Sequence, residues 1–352
     1  MIGFRCMARA ATVALAVLFA GSLGGDTVSF RLDRAAVAQT AAPAATPGKS
    51  DDWRAVRRGE QGYVSIPDKQ AGRLIQSGGE NWRNWRNGPI SVWGGWAMLG
   101  TIALLALFFA TRGRIRIDHG PSGRKVERFN DVERFAHWLT AVSFIVLALT
   151  GLNVLYGRYV LRPIIGADAF AALSALGKYL HNYVAFAFMA GIVMILALWV
   201  RHNIPNRDDL AWLAKGGGLL VKGSHPPARK FNAGQKILYW LVVLGGISLS
   251  VSGIALLWPF EFALFAPTFK VLNIFGLGLP TDLTAMHEVQ LSQMWHAVVA
   301  LILIAVTIGH IYLGTLGMEG AFDAMGTGMV DENWAREHHS LWAAEMSAGK
   351  KG

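Results

Sequence analysis

Long uninterrupted apolar stretches dominate the chain. Five run at roughly 93–111, 135–156, 181–200, 237–258 and 293–315, and none contains Asp, Glu, Lys or Arg. Each is close to the ~20 residues a helix needs to cross hydrocarbon. Lipid offers the backbone no hydrogen-bond partner and five spans are too few for a barrel, so each stretch predicts a transmembrane helix. A sixth apolar stretch, 262–280, is broken by Pro267, Lys270 and glycines and predicts an interfacial loop. No internal repeat stands out. The fold class is therefore an all-α integral membrane protein.

Composition agrees: the 352 residues are 53% hydrophobic and 16% charged. A net charge of +10 could suggest nucleic acid as a partner, but the cations sit in short loops beside apolar spans, which argues for no nucleic acid. Between spans one and two lie Arg112, Arg114, Arg116, Arg124, Lys125, Arg128 and Arg134. Between spans three and four lie Arg201, Arg207, Lys215, Lys222, Arg229, Lys230 and Lys236. The alternate loops carry only Arg158, Arg162 and Lys178 on one side and Lys270 on the other. By the positive-inside rule the cation-rich loops are cytoplasmic, which puts the N-terminus in the periplasm and the C-terminus in the cytoplasm of a bacterial inner membrane.

Residues 1–38 read as a signal peptide: Arg5 and Arg9, the apolar run Ala10–Gly21, then Ala36-Val37-Ala38 as a small-residue cleavage site, with an uncleaved anchor as the alternative. Residues 39–92 form a periplasmic segment that opens with a disordered linker, 39–52. The single cysteine, Cys6, excludes a disulfide within the chain, a Cys-ligated iron–sulfur cluster and a covalent c-type haem.

The candidate chemistry lies in four histidines within the spans: His137, His181, His296 and His310. An ionisable side chain in hydrocarbon is a functional candidate by default. His296 and His310 are fourteen residues apart, about 21 Å of helical rise and nearly four whole turns, so they share one face near opposite ends of one span. His137 opens span two and His181 opens span three, again at opposite depths. Pairing by depth gives His137 with His310 near the cytoplasmic face and His181 with His296 near the periplasmic face. Two bis-histidine pairs are how a helical bundle holds two b-type haems. The alternative is four packed histidines, each hydrogen-bonded to a neighbouring helix. The remaining six, His119, His202, His225, His287, His338 and His339, fit no layer and are expected to be solvated. Gly151, Gly191, Gly245, Gly246, Gly253 and Gly309 would admit a flat macrocycle or a neighbouring helix. Arg128, Arg134 and Lys236 are candidates for contact with haem propionates at the cytoplasmic end, and Arg158 and Lys178 at the periplasmic end.

RFNDVERFAHWLTAVSFIVLALTG around His137, LGKYLHNYVAF around His181, RHNIPNRDDLAWL, KFNAGQKILYW, MWHAVVALILIAVTIGHIYLGTLGMEGA and the tail WAREHHSLW resemble, in order over about 128–345, the γ (cytochrome b) subunit of membrane-bound respiratory formate dehydrogenases. The resemblance implies a four-helix diheme cytochrome b bundle over 128–316; the span at 93–111 goes beyond that core as one extra N-terminal transmembrane helix, and the loop charges make 317–352 a cytoplasmic tail. It also implies partners: a catalytic molybdenum- or tungsten-containing formate dehydrogenase subunit, an iron–sulfur subunit, and membrane quinone as electron acceptor. Formate chemistry would then reside in another subunit, and this chain would carry electrons. Asn232 and Gly234 of the NAGQK loop, with His310, would form the quinone site. Asn232 also reads as the N-cap of span four, and the two roles are compatible. The cytochrome b subunit of a membrane-bound hydrogenase or related molybdoenzyme would show the same wire. A haem-free anchor or transporter is the reading from another class, though transporters carry repeats and interrupted helices.

The loop charges predict a topology. Reporter fusions after Gly123 or within 215–225 should show cytoplasmic activity, and a fusion within 265–285 should show periplasmic activity. A periplasmic signal from the 215–225 fusion would invert the orientation.

Overall fold

The computed structural model describes residues 77–219, 221 and 223–349. The signal-like segment, the linker and most of the polar segment before the first span lie outside the described residues. Among the described residues, five helices are long and apolar enough to cross a membrane. Helix α1 (Ser77–Trp85) runs through a π-helical turn at Arg86–Ile90 into α2 (Ser91–Arg112). The widened turn accommodates Pro89, which cannot donate to the helical ladder. The other long helices are α3 (Asp131–Val160), α4 (Ala167–Trp199), α6 (Ala233–Leu257) and α8 (Ala285–Tyr312). Between them lie the short helices α5 (Arg207–Ala214) and α7 (Phe265–Asn273).

Helix starts follow local chemistry. Asn130, Asn206 and Asn232 each accept from the backbone N–H three residues on, and Glu133, Asp209 and Gln235 reciprocate, making three capping boxes. Two sequence expectations need correction. His181 does not open its helix: α4 begins at Ala167, because the Ala- and Leu-rich run before His181 favours helix beyond the apolar stretch. The 262–280 stretch is not all loop, since α7 forms within it. The Glu288 carboxylate, buried on α8, accepts the N–H groups of Leu264, Phe265 and Ala266 and so satisfies the orphan donors at the start of α7.

The long helices pack α3 against α4 and α6 against α8, and the extra N-terminal span lies on α8. Small residues mark the crossings. A Cβ on Gly94 would sit 2.5 Å from Leu301 Cδ1, and one on Gly191 would sit 2.4 Å from Thr140 Oγ1. Gly245 and Gly246 meet Leu303 and Ile192 in the same way. In lipid, where apolar side chains gain little from leaving the solvent, close approach of this kind is a main source of helix association. Trp93, Trp96 and Leu104 on α2 face outward, as a lipid-exposed helix allows.

One end of the bundle is closed by the C-terminal tail. Strand β1 (Lys125–Glu127) pairs antiparallel with β2 (Met329–Asp331), with Val126 opposite Val330. Helices α9 (Ala321–Gly326), α10 (Glu332–His338) and α11 (Ser340–Gly349) complete this cap. Its centre is Arg128, buried among Phe129, Trp334 and Trp342 with the guanidinium 5.1–5.2 Å from each ring centroid. Burial pulls that guanidinium down to about 9, against the opposing pull of Glu133, so it stays charged at neutral pH. Arg128 donates to the Lys230 carbonyl (2.7 Å) and to His339 Nε2 (2.9 Å), while His339 Nδ1 donates to the Arg229 carbonyl (2.7 Å).

The expectation that His338 and His339 are solvated is therefore wrong. His339 is 1% exposed, and His338 packs on Trp334 with its Nε2 buried. Both pack against Trp334, part of the hydrophobic core that joins the tail to the ends of the long helices.

Burial favours the neutral ring, holding His338 down to about 4 and His339 well below its usual 6.5. A group whose docked pKa is depressed binds fewer protons docked than undocked, so docking stability is complete above about 6.5 and is lost as the pH falls toward about 4. The Glu337 and Asp331 carboxylates, lowered by the hydrogen bonds they accept, act in the same direction at still lower pH. Hydrogen exchange across residues 329–349, corrected for intrinsic rate, should accelerate between pH 7.5 and pH 5 while the α4 core stays protected. Equal protection at both values would refute the linkage.

Candidate functional site

The four intramembrane histidines converge as two pairs. His137, in the second turn of α3, faces His310 in the last turn of α8, with ring centroids 6.1 Å apart and planes inclined by 65°. His181 of α4 faces His296 of α8 at 6.2 Å and 62°. Because α8 carries one member of each pair, the pairs lie at opposite depths. Two metal–imidazole bonds of about 2 Å, plus about 1 Å from each nitrogen to its ring centre, total about 6 Å. The separations thus suit one metal ion between each pair of rings.

The pair farther from the cap shows how its rings are held. His181 Nδ1 lies 2.8 Å from Thr150 Oγ1, and His296 Nδ1 lies 2.9 Å from Ser252 Oγ. Thr150 donates its single hydroxyl hydrogen to the Val146 carbonyl (2.8 Å), and Ser252 donates to the Ser248 carbonyl (2.8 Å). Each hydroxyl must then accept from an imidazole Nδ1–H, which fixes the tautomer and leaves Nε2 as the free lone-pair donor. Gly151 and Gly253 flank these rings: a Cβ at either would stand 3.6 Å from His181 Cε1 or 3.5 Å from His296 Cε1. Of the glycines expected to admit a cofactor or a helix, these two lie against histidines, whereas Gly191, Gly245 and Gly246 serve helix crossings.

Among the described residues there is no group of three or more His, Cys, Asp or Glu that could hold a metal. Two opposed imidazoles fill only the axial positions of an ion, and a porphyrin supplies the four coplanar nitrogens that complete the set. The donor chemistry therefore fits haem. His137 Nδ1 is buried without a partner, unlike the Nδ1 atoms of His181 and His296.

The cap-side pair opens on a cavity of about 1180 Å³. Its wall includes His137, His310, Asn232, Gly234 and Trp212, and it extends to Arg128, His225 and His338 in the cap. Asn232 Oδ1 accepts from Gln235 N at 2.9 Å. The cap thus uses the side-chain oxygen and leaves the amide N–H₂ for a ligand in the cavity. Gly234 is required locally, since a Cβ there would stand 2.9 Å from Trp212 Cη2.

Two of the expected propionate contacts are engaged elsewhere. Arg134 donates to the Met325 and Gly326 carbonyls and pairs with Asp131, and Lys236 donates to Asp209 and the Ile204 carbonyl. Arg128 does line the cavity, with one guanidinium nitrogen buried and unpartnered. Thr150 and Ser252 escaped the sequence reading. Their one signal was a hydroxyl within an apolar span, which many such helices satisfy internally.

Comparison with known proteins extends the geometry. The formate dehydrogenase cytochrome b556(fdo) subunit of Escherichia coli K12 is 29% identical over 222 residues, which cover 63% of this chain and 93% of that protein. The nitrate-inducible formate dehydrogenase cytochrome b556(Fdn) subunit of the same strain is 26% identical over 226 residues, covering 63% and 92%. The formate dehydrogenase cytochrome b556 subunit of Haemophilus influenzae is 25% identical over 230 residues, covering 64% and 85%. Residues 128–328, more than half of the chain and all four histidines, match the family described as prokaryotic cytochrome b561. The chain is a multi-pass, mostly helical membrane protein that belongs to the prokaryotic cytochrome b561 family, and membership implies b-type haem.

Proposed function

We propose that the chain is the membrane-anchoring cytochrome b subunit of a formate dehydrogenase. It holds two b-type haems and carries electrons from an iron–sulfur subunit in the periplasm to membrane quinone at the cytoplasmic face. The observation that carries this reading is the pair of facing imidazole couples, 6.1 and 6.2 Å apart, strung along one helix. The formate dehydrogenase assignment, with its molybdenum- or tungsten-containing catalytic partner, is supported by what the relatives are named. The inner-membrane orientation, with residues 1–38 as a signal peptide and the cap in the cytoplasm, is supported by the loop charges.

In this reading His181 and His296 would hold the periplasmic haem, and His137 and His310 the cytoplasmic one. Bound haem supplies reversible one-electron chemistry at each pair. Thr150 and Ser252 keep the periplasmic rings in the tautomer that presents Nε2. Apolar side chains, Phe144, Phe188 and Leu303 among them, line part of the cytoplasmic cavity. Asn232 offers its amide N–H to a quinone oxygen at the membrane edge, and Gly234 keeps the loop backbone close to that oxygen.

His181→Ala and His296→Ala should each remove one haem and its spectral component, and His137→Ala and His310→Ala the other, since each haem would be held by both histidines of its pair. Loss of the same component from His137→Ala and His181→Ala would break the pairing. The purified complex should oxidise formate with quinone, and hydrogen oxidation in its place would assign it to a hydrogenase.

At the quinone site, Asn232→Asp keeps an oxygen for the helix cap but removes the amide donor. It should retain both haems yet slow their reoxidation by quinone, by about 100-fold. A purely structural Asn232 would instead tolerate Asp, while Asn232→Ala would lose about 0.5–2 kcal/mol of stability through the cap.

A further inference from the structure

The cap holds a histidine cluster that the electron path leaves unused. His225 Nε2 donates to Asp118 Oδ2 at 2.8 Å, and both side chains are partly exposed to solvent. Behind them, the His338 ring centroid lies 6.0 Å from that of His225, within reach of one bridging water. His338 Nε2 is buried without a protein partner. Asp118, His225 and His338 all line the same cavity as Asn232, Gly234 and His310.

Neighbouring groups cannot take the same part. His339 is fixed at both nitrogens, donating to Arg229 O and accepting from Arg128. Glu337 is saturated by the N–H groups of Asp118 and His119 and by His119 Nδ1. It thereby anchors the loop that carries Asp118. The charged and titratable groups facing His338 are thus Arg128, Glu337, Asp118 and His225.

We propose that Asp118, His225 and His338 form the proton-uptake relay that feeds quinone bound beside His310. The proposal rests on the quinone reading above and adds the source of the protons. Converting one quinone to quinol consumes two electrons, delivered by the chain's electron path, and two protons. Each proton passes from solvent to the His225 ring, whose other N–H stays bonded to Asp118, then to His338 Nδ1 as His338 Nε2 gives its own proton to a quinone oxygen, and His338 returns to its Nε2–H tautomer before the second transfer. His225 then reloads from solvent. Burial keeps His338 neutral at rest, so it takes up a proton only transiently and, once protonated, donates it readily to quinone.

The test uses the purified complex carrying His338→Gln, His338→Phe or His225→Gln. Haem content, the reduced-minus-oxidised spectrum and the affinity for a fluorescent hydroxyquinoline N-oxide (a quinone analogue) should stay at wild-type values. Reoxidation of pre-reduced haem by quinone should slow by about tenfold or more at pH 8. It should slow less at pH 6 and recover in added imidazole. The His225→Gln variant, altered at the surface, keeps the test open should the His338 variants fail to fold.

Wild-type reoxidation at pH 8 in these variants would overturn the relay. Loss of the cap-side haem or of analogue binding in His338→Gln would also overturn it, making His338 a contact for the bound groups. Failure of the quinone reading looks different: Asn232→Asp would then reoxidise normally and the wild-type complex would not bind the analogue.

Discussion

A neutral imidazole inside a membrane needs work for both of its ring nitrogens, and this bundle is arranged around that need. One nitrogen of His181 and of His296 is satisfied by a hydroxyl whose own hydrogen is committed to its helix, so the other is left as a lone pair facing the partner ring. The arrangement requires Thr150 and Ser252 to lie at the depth of the histidines on adjacent helices. It also requires flat helix surfaces at Gly151 and Gly253. Placing a member of each pair on α8 makes one helix the spine of the histidine array. The remaining packing, with glycine crossings and outward-facing apolar side chains, holds that spine in register.

The two ends of the spine differ in what surrounds them. The far pair is supported by hydroxyls and crowded by helices. The cap-side pair borders a large cavity, and His137 Nδ1 has no partner there. Where chemistry with a mobile substrate is proposed, the protein provides open space, an amide donor and titratable groups; where only electron transfer is proposed, it provides close packing. The cap makes the difference possible. Arg128, held among three aromatic rings, fastens the tail across the bundle end and brings His338 to the cavity wall.

Much of this was legible along the chain. The five spans follow from apolar length, because lipid leaves the backbone no alternative to helix. The fourteen-residue spacing of His296 and His310 put them on one face whatever the tertiary arrangement, and the alternation of spans carried the depth pairing. Asn232 was visible as a cap because capping depends on neighbours three residues away. Where the sequence reading erred about the 262–280 stretch and the tail histidines, the deciding contact came from a distant segment. Glu288 stabilises a helix twenty residues earlier in the chain, and His338 and His339 are buried by the loops near Arg128 and Arg229.

Sequence by itself therefore determined what local periodicity and solvent partition control: the membrane class, the number of spans, which histidines share a face, and the helix start at Asn232. Only the tertiary structure decided which hydroxyl fixes each tautomer, which glycines stand beside a histidine and which beside another helix, and that the C-terminal tail buries charged and titratable groups over the cavity. Those outcomes depend on distances between residues far apart in sequence, such as Thr150 with His181 or Asp118 with Glu337. No helical or hydropathic period encodes such distances; the packing of the helices does.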